Sequence, residues 1–368
     1  MPPRPVSSIA SLPILPIGES GAPPGGGRII GLANNENAES PSPAVLAALA
    51  EGARHANRYP DVAQSALRDG IARRYGGLDP DRIVCGVGSS DLIALLAQCY
   101  CGPGDETLIG RQGYLYFAIA TKAAGGHPVL AGSEIIGNRP GFDPEAILAA
   151  VTPKTRIVFL DNPSNPLGTI VDRARLTEFR AALPDDILLV LDAAYADYVL
   201  DPDFEPGEAL VDAGDNTVVL RTFSKIYGLA GLRVGWAYAP AGIAETLRRV
   251  VRPGNIPSPS LAAAVAAIND PDLIDARRHR NARTRDRFAA DLQALPGVSV
   301  LPSHTNFVFA TFQSGARQGA AEVFAQAKAK GVFLRPMGPY GQPDSLRITI
   351  GTDEEMTIAT EVLRGILA

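Results

Sequence analysis

Between residues 41 and 255 short apolar runs alternate with stretches whose apolar positions recur at helical spacing. Strand candidates lie at 82–86, 106–109, 127–130, 156–160, 187–191, 217–221 and 234–238. Strands buried on both faces read as near-continuous apolar runs, and a helical crossover between them makes the pairing parallel. The pattern therefore predicts an α/β unit, a parallel sheet covered by helices.

After Pro253, Gly254 and Pro257 the pattern changes. A long helical stretch rich in alanine and arginine is followed by shorter strand candidates at 298–301, 306–310 and 346–350. This predicts a smaller α+β domain. Residues 1–40, rich in proline, glycine and asparagine, read as an arm that helps complete it, with a loop at 21–27. The expected division is an arm over 1–40, a large domain over 41–255 and a small domain over 256–368.

A chain of 368 residues with 46% apolar content can bury two cores and a site that keeps water out. The formal charge of −5 gives no broad positive field, so nucleic acid and anionic membrane are poor partners, and an anionic ligand needs a local site. Prolines 2, 3, 5, 13 and 16 break the opening segment, and no uncharged apolar run is long enough to span a bilayer. Cys85, Cys99 and Cys101 cannot all pair and read as buried thiols in a reducing cytoplasm; they and the scattered His55, His127, His279 and His304 offer no metal cluster. The run Arg277, Arg278, Arg280, Arg283, Arg285 and Arg287 reads as a solvated helix face.

In an open parallel sheet, ligands gather beyond the carboxyl ends of the strands. Three of these ends run into polar residues: Asp161 to Asn165, then Asp192 to Tyr195, then Thr222 to Lys225. A fourth ends in Gly86-Val87-Gly88-Ser89-Ser90 before a helical pattern, which offers free N–H groups and hydroxyls to a phosphate, or else only an N-cap. The spacing lacks a full dinucleotide fingerprint and a Walker lysine. Lys225 is the leading catalytic candidate, because an amine with lowered proton affinity attacks a carbonyl as the neutral base. Arg233 follows eight positions on, after Gly228 and Gly231, where the chain can bend back toward a phosphate. Asp192 can hold a proton on a pyridine nitrogen, and Asn165 and Tyr195 can donate to a ring oxygen. Taken singly, each has a plainer reading as a surface lysine, a helix cap or a turn residue.

Together these residues resemble the fold-type I aminotransferases that use pyridoxal phosphate (PLP), and within them the histidinol-phosphate aminotransferase-like branch. Residues 222–235, Thr-Phe-Ser-Lys-Ile-Tyr-Gly-Leu-Ala-Gly-Leu-Arg-Val-Gly, look like that family's lysine motif with its phosphate-binding arginine. Residues 162–168 are similar to its asparagine loop and 191–195 to its aspartate motif. Asn35-Glu36-Asn37, Arg58-Tyr59-Pro60-Asp61, Asn306-Phe307-Val308 and residues 346–351 match further motifs, so the likeness covers nearly the whole chain.

The resemblance implies a large domain with a mostly parallel seven-stranded sheet flanked by helices, a smaller α+β domain, and PLP held on Lys225. It implies that Ser89, Ser90, Thr222, Ser224, Arg233 and a partner subunit's Tyr59 hold the phosphate, so that the enzyme is a homodimer. Tyr114 would stack on the ring, Asp192 would support its nitrogen, and Asn165 and Tyr195 would meet its oxygen. Arg347, Arg335 and Asn35 would bind substrate. The implied reaction moves an amino group from an amino acid or amino-phosphate donor to a 2-oxo acid such as 2-oxoglutarate, by a ping-pong Schiff-base route. A decarboxylase of the threonine-phosphate type is the alternative within the scaffold, and a non-catalytic or nucleotide-binding α/β protein the alternative outside it. The chain departs from the branch on the substrate side: no tyrosine precedes Asn35-Glu36-Asn37, and Arg252-Pro253-Gly254-Asn255 lacks an aromatic residue.

Overall fold

The computed structural model describes residues 3–10, 12, 28–132, 142–312 and 318–367. The loop expected at 21–27 lies outside the described residues. The strands are β1 (Ile30–Gly31), β2 (Ile83–Gly86), β3 (Glu106–Gly110), β4 (His127–Ala131), β5 (Thr155–Asp161), β6 (Leu188–Asp192), β7 (Thr217–Thr222) and β8 (Gly235–Tyr238). They continue with β9 (Val298–Val300), β10 (Phe307–Phe312), β11 (Val332–Phe333), β12 (Arg335–Pro336) and β13 (Ser345–Thr349).

All seven strands expected between 41 and 255 form one sheet, in the order β2-β8-β7-β6-β5-β3-β4. Pairing is parallel from β4 across to β7, and only β8 runs antiparallel to its neighbours. Every residue of β6 and β7 is buried, as strands covered by helices on both faces must be. The strand bounds shift in one informative way. Asp161, Asp192 and Thr222, which the sequence places just past their strands, are the last residues within them. Their side chains are therefore held by the sheet and not by loops.

A second sheet, β12-β13-β10-β9, is antiparallel, and β1 of the arm pairs in parallel with β11. Its core includes Ile30, Leu32, Phe288, Leu292, Val308, Ile348 and Leu363. The Pro271–Gln293 helix, capped by Asp270 accepting the Leu273 N–H at 3.2 Å, runs between the cores. Its Ile274 packs with the large sheet, and its Phe288 and Leu292 with the small one.

That placement corrects the reading of the arginine run as a solvated face at Arg277 and Arg285, while Arg283 and Arg287 are exposed as that reading has them. Arg277 is only 2% exposed and Arg285 8%, because this helix is covered along both flanks and the guanidinium groups find backbone carbonyls there. Cys85 and Cys101 are buried as expected, whereas Cys99, in the Ser89–Tyr100 helix, is only half-buried. Among the described residues no helix is long and apolar enough to cross a membrane.

Candidate active site

The carboxyl ends of β5, β6 and β7 and the turn after β2 open on one cavity of about 880 Å³. Asn34 and Asn35 of the arm and Arg335, Tyr340 and Arg347 of the small sheet region close its other side. The sheet end supplies fixed polar groups, and the second layer makes a pocket of what would otherwise be an open edge.

Lys225, three residues beyond β7, projects into this space. Its Nζ donates to the Asn35 carbonyl at 3.2 Å and lies 5.4 Å from the centre of the Tyr195 ring. Surrounding protein removes water from the ammonium, and the charges of Arg347 and Arg233 oppose it, so its pKa falls to about 8 despite Glu36 and Asp192. A usable fraction of the amine is neutral near pH 7.

Asp192 is 5% exposed, and its Oδ1 accepts the Ala194 N–H at 3.2 Å. Burial pushes its carboxyl up to about 7, against the Ala194 hydrogen bond and the positive charge of Lys225. A carboxylate so placed gains much from a cation that arrives with a ligand. The hydroxyl of Tyr195 accepts from Asn35 Nδ2 at 2.9 Å, its ring meets Phe307 edge-on, and burial raises its pKa to about 12. It enters the site as a neutral phenol.

At the other end of the cavity Gly88, with φ of +82°, caps the Ser89–Tyr100 helix, so Ser89 is the first helical residue and not the cap. Four N–H groups at such a terminus lack intrahelical partners, and the helix dipole favours an anion there. Arg233, held at φ of +54°, sends Nη1 to Ser224 Oγ at 3.2 Å, while Thr222 Oγ1 accepts the Ser224 N–H at 3.0 Å. A guanidinium, a helix start and the hydroxyls of Ser89, Ser90, Thr222 and Ser224 make a receptor for a phosphate. Tyr114 lines the same cavity beside Asp192 and Ser90.

On the small sheet, β12 and β13 set Arg335 directly opposite Arg347. Arg347 is 6% exposed; it donates to Asn165 Oδ1 and, at 2.9 Å, to the Ala33 carbonyl, whereas its Nε has no partner among the described residues. Burial holds its pKa below the ordinary value of an arginine without making it neutral at any ordinary pH. A buried charged donor lacking an acceptor is costly, and a carboxylate entering the cavity is a chemically suitable acceptor.

Thus Lys225, Asp192, Asn165, Tyr195, Tyr114, Ser89, Ser90, Thr222, Ser224, Arg233, Arg335, Arg347 and Asn35 come together. Tyr59 does not: it is 94% exposed on the outside of the chain. Asp161 and Tyr340 are among the lining residues that the sequence reading did not assign to the site. Asp161, which the sequence places among the polar residues just past a strand, ends β5 opposite Asp192, and its Oδ2 accepts the Asn165 N–H at 2.6 Å. Tyr340 stands in the short loop between the two arginine strands, and its place between two candidate anchors was the signal available. Among the described residues no group of three or more histidine, cysteine, aspartate or glutamate side chains could hold a metal.

Residues 27–363 match the model of the aminotransferase class I and II family. A histidinol-phosphate aminotransferase of Granulibacter bethesdensis is 43% identical over 366 residues, covering 100% of this chain and 96% of that one. Another, of Rhodospirillum rubrum, is 45% identical over 341 residues, covering 93% and 91%. The crystal structure of histidinol-phosphate aminotransferase from Sinorhizobium meliloti in complex with pyridoxal-5'-phosphate superposes with a TM-score of 0.85 at 29% identity, covering 99% of this chain and 98% of that one.

Proposed function

Because the chain belongs to the class I and II aminotransferase family, we propose that it is the enzyme that moves the amino group of histidinol phosphate to 2-oxoglutarate, with PLP on Lys225. It is a PLP-dependent transaminase of fold type I.

The residues fit the cofactor. A Cβ at Gly88 would lie 2.6 Å from Arg233 Nη2, so the absence of a side chain there leaves the guanidinium and the helix start facing a common point suited to phosphate. At the opposite end the buried Asp192 has one backbone donor and awaits a cation. When bound, PLP supplies an aldehyde for the amine and a protonated ring that accepts the electron pair left at a substrate carbon.

Each step then falls to a protein group. Ser89, Ser90, Thr222, Ser224 and Arg233 hold the phosphate, and Tyr114 covers the ring. Asp192 keeps the ring nitrogen protonated, while Asn165 and Tyr195 direct hydrogen bonds to the ring oxygen. Lys225 Nζ, as a free amine, would take the proton from the substrate Cα and, as the ammonium so formed, would be the proton donor on the same side of the site, as general acid–base catalysis requires. A pKa near 8 suits both directions of that transfer.

One observation carries the substrate assignment: Arg335 and Arg347 are paired across β12 and β13 and both face the cavity. Two adjacent guanidinium groups suit substrates with an anionic group remote from the amine, a phosphate in histidinol phosphate or the second carboxylate of glutamate. The exposed Tyr59 supports a homodimer in which it completes the partner's phosphate site. Two cores, the smaller of which takes in Ile30 and Leu32 of the arm, support a large and a small domain, proposed at 41–255 and 256–368, although Ile256, Ile268 and Ile274 pack on the large core. The free thiols support a cytoplasmic setting.

The test is a coupled assay on the purified protein with histidinol phosphate and 2-oxoglutarate, together with borohydride reduction and peptide mapping. Glutamate formation with ping-pong kinetics and an adduct at Lys225 are expected. Carbon dioxide release without a keto acid, or turnover only with aromatic amino acids, would refute the assignment.

A further inference from the structure

The arginine run has one member whose partners all belong to the margin of the catalytic site. The guanidinium of Arg277 donates through Nη1 to the Ile226 carbonyl at 3.0 Å, through Nη2 to the Ser40 carbonyl at 2.8 Å, and through Nε to Glu39 Oε2 at 2.9 Å. Ile226 directly follows Lys225, and Glu39 and Ser40 belong to the arm that carries Asn35. Asn37 Nδ2 donates to the same Ile226 carbonyl at 3.0 Å, and its Oδ1 accepts the Glu39 N–H at 2.9 Å. Arg280, one turn on, forms a second ion pair with Glu39.

We propose that Arg277 is a positioning residue: it latches the arm, through Glu39 and Ser40, to the chain just after Lys225, and so fixes Asn35 against Lys225 and Tyr195. Asn35 depends on such a latch. It is 1% exposed with φ of +55°, its carbonyl accepts from Lys225 Nζ, and its side chain donates to Tyr195. From the small sheet side Thr349 and Asn306 hold it. Beyond the Lys225–Asn35 bond itself, the arm is tied to the chain just past the lysine by Arg277 and by Asn37, both donating to the Ile226 carbonyl.

The chemistry requires a guanidinium. Three acceptors from two chain segments lie around one planar group, which matches a rigid fork of five donors and not the single point charge of lysine. Its burial is compatible with charge because the Glu39 carboxylate accompanies it. Gly228, with φ of +72°, allows the approach, since a Cβ there would lie 3.2 Å from Arg277 Nη1. Arg278 turns elsewhere, to the Asp197 carbonyl at 2.6 Å, so the latch is specific to positions 277 and 280.

The test compares Arg277→Lys, Arg277→Gln and Glu39→Gln holoenzymes, with Arg287→Gln as a control on an exposed part of the same helix. Amide hydrogen exchange of residues 33–40 is the primary readout. In Arg277→Gln and Glu39→Gln it rises about tenfold, the effect of losing a charge-assisted hydrogen bond, with Arg277→Lys intermediate and Arg287→Gln unchanged. The KM for the amine donor rises about tenfold while kcat stays within about threefold, because the arm and not the lysine is loosened. Unchanged arm protection in a folded Arg277→Gln, or a rise spread evenly over the small sheet, overturns the proposal. Should Arg277→Gln fail to fold, Glu39→Gln, altered at a partly exposed carboxylate, decides in the same way. Only the KM readout rests on the functional reading of the site. Arm exchange answers separately, so a wrong donor leaves the latch standing.

Discussion

Asp161 and Asp192 end neighbouring parallel strands at paired positions, so two carboxylates share the floor of the cavity. Both are pushed up to about 7 by burial, and for Asp161 the charge of Asp192 adds to the rise. A folded-state pKa above the unfolded value means that the folded protein binds more protons across the interval between them. Cofactor-free protein therefore loses stability as the pH rises from about 4 to about 7. Asp161→Asn keeps an acceptor for the Asn165 N–H and removes one titrating group, so its midpoint temperature falls less over that range. Calorimetry of both proteins at a series of pH values checks this; parallel curves refute the pair.

Lys225 behaves in the opposite sense. Its pKa is depressed to about 8, and capture of an aldehyde requires the neutral amine. The rate at which cofactor-free protein takes up PLP is expected to climb with pH and level off above about 8, two units before an ordinary lysine would. Stopped-flow absorbance measures it. A climb continuing to pH 10 would show that the amine is not desolvated as the cavity implies.

Arg347→Lys keeps the charge and loses the fork that engages Asn165 and Ala33 and that we propose for the incoming acid. We expect KM for the keto acid to rise about 10- to 100-fold, the range for a charge-assisted hydrogen bond of about 1.5–3 kcal/mol, with a smaller change in PLP affinity. Initial-rate kinetics and a cofactor titration separate the two. Equal loss in both would make Arg347 a structural residue.

Much of this site was legible because it lies at strand ends, where an apolar run stopping at Asp192 or at Thr222 before Lys225 is a linear signal. The central strands β5, β6 and β7 were readable because burial on both faces leaves a near-continuous apolar run, whereas the edge strand β4, with His127 and Leu130 exposed, was readable only as a short apolar run between helical patterns. What stayed hidden depends on long-range register. Asp161 becomes a site residue only because β5 pairs with β6 so that it faces Asp192, and no spacing within the chain encodes that. Strands β1 and β11 are two residues each and pair across about three hundred positions, too short for any periodicity to register. Arg277 looked like one charge among six, since its burial comes from an arm more than two hundred residues away.

The phosphate end offers the sharpest steric test. Gly88 sits at φ of +82°, a conformation strained for any residue with a side chain, and its missing Cβ is what admits Arg233. Gly88→Ala meets Arg233 Nη2 at 2.6 Å, so the guanidinium must withdraw from the helix start. An arginine side chain can swing aside, so the fold survives with a loss of about 1–2 kcal/mol from backbone strain, but the two halves of the receptor no longer converge. PLP affinity then falls about 10- to 100-fold, as when one charged hydrogen-bonding partner is lost, while the pH dependence of PLP uptake, which belongs to Lys225, is unchanged. Arg233→Ala in the Gly88→Ala background discriminates further: if the two substitutions act through the same displaced group, the double variant binds PLP no worse than Arg233→Ala alone. Additive losses would mean that Gly88 serves the phosphate through its own N–H and not by making room for Arg233.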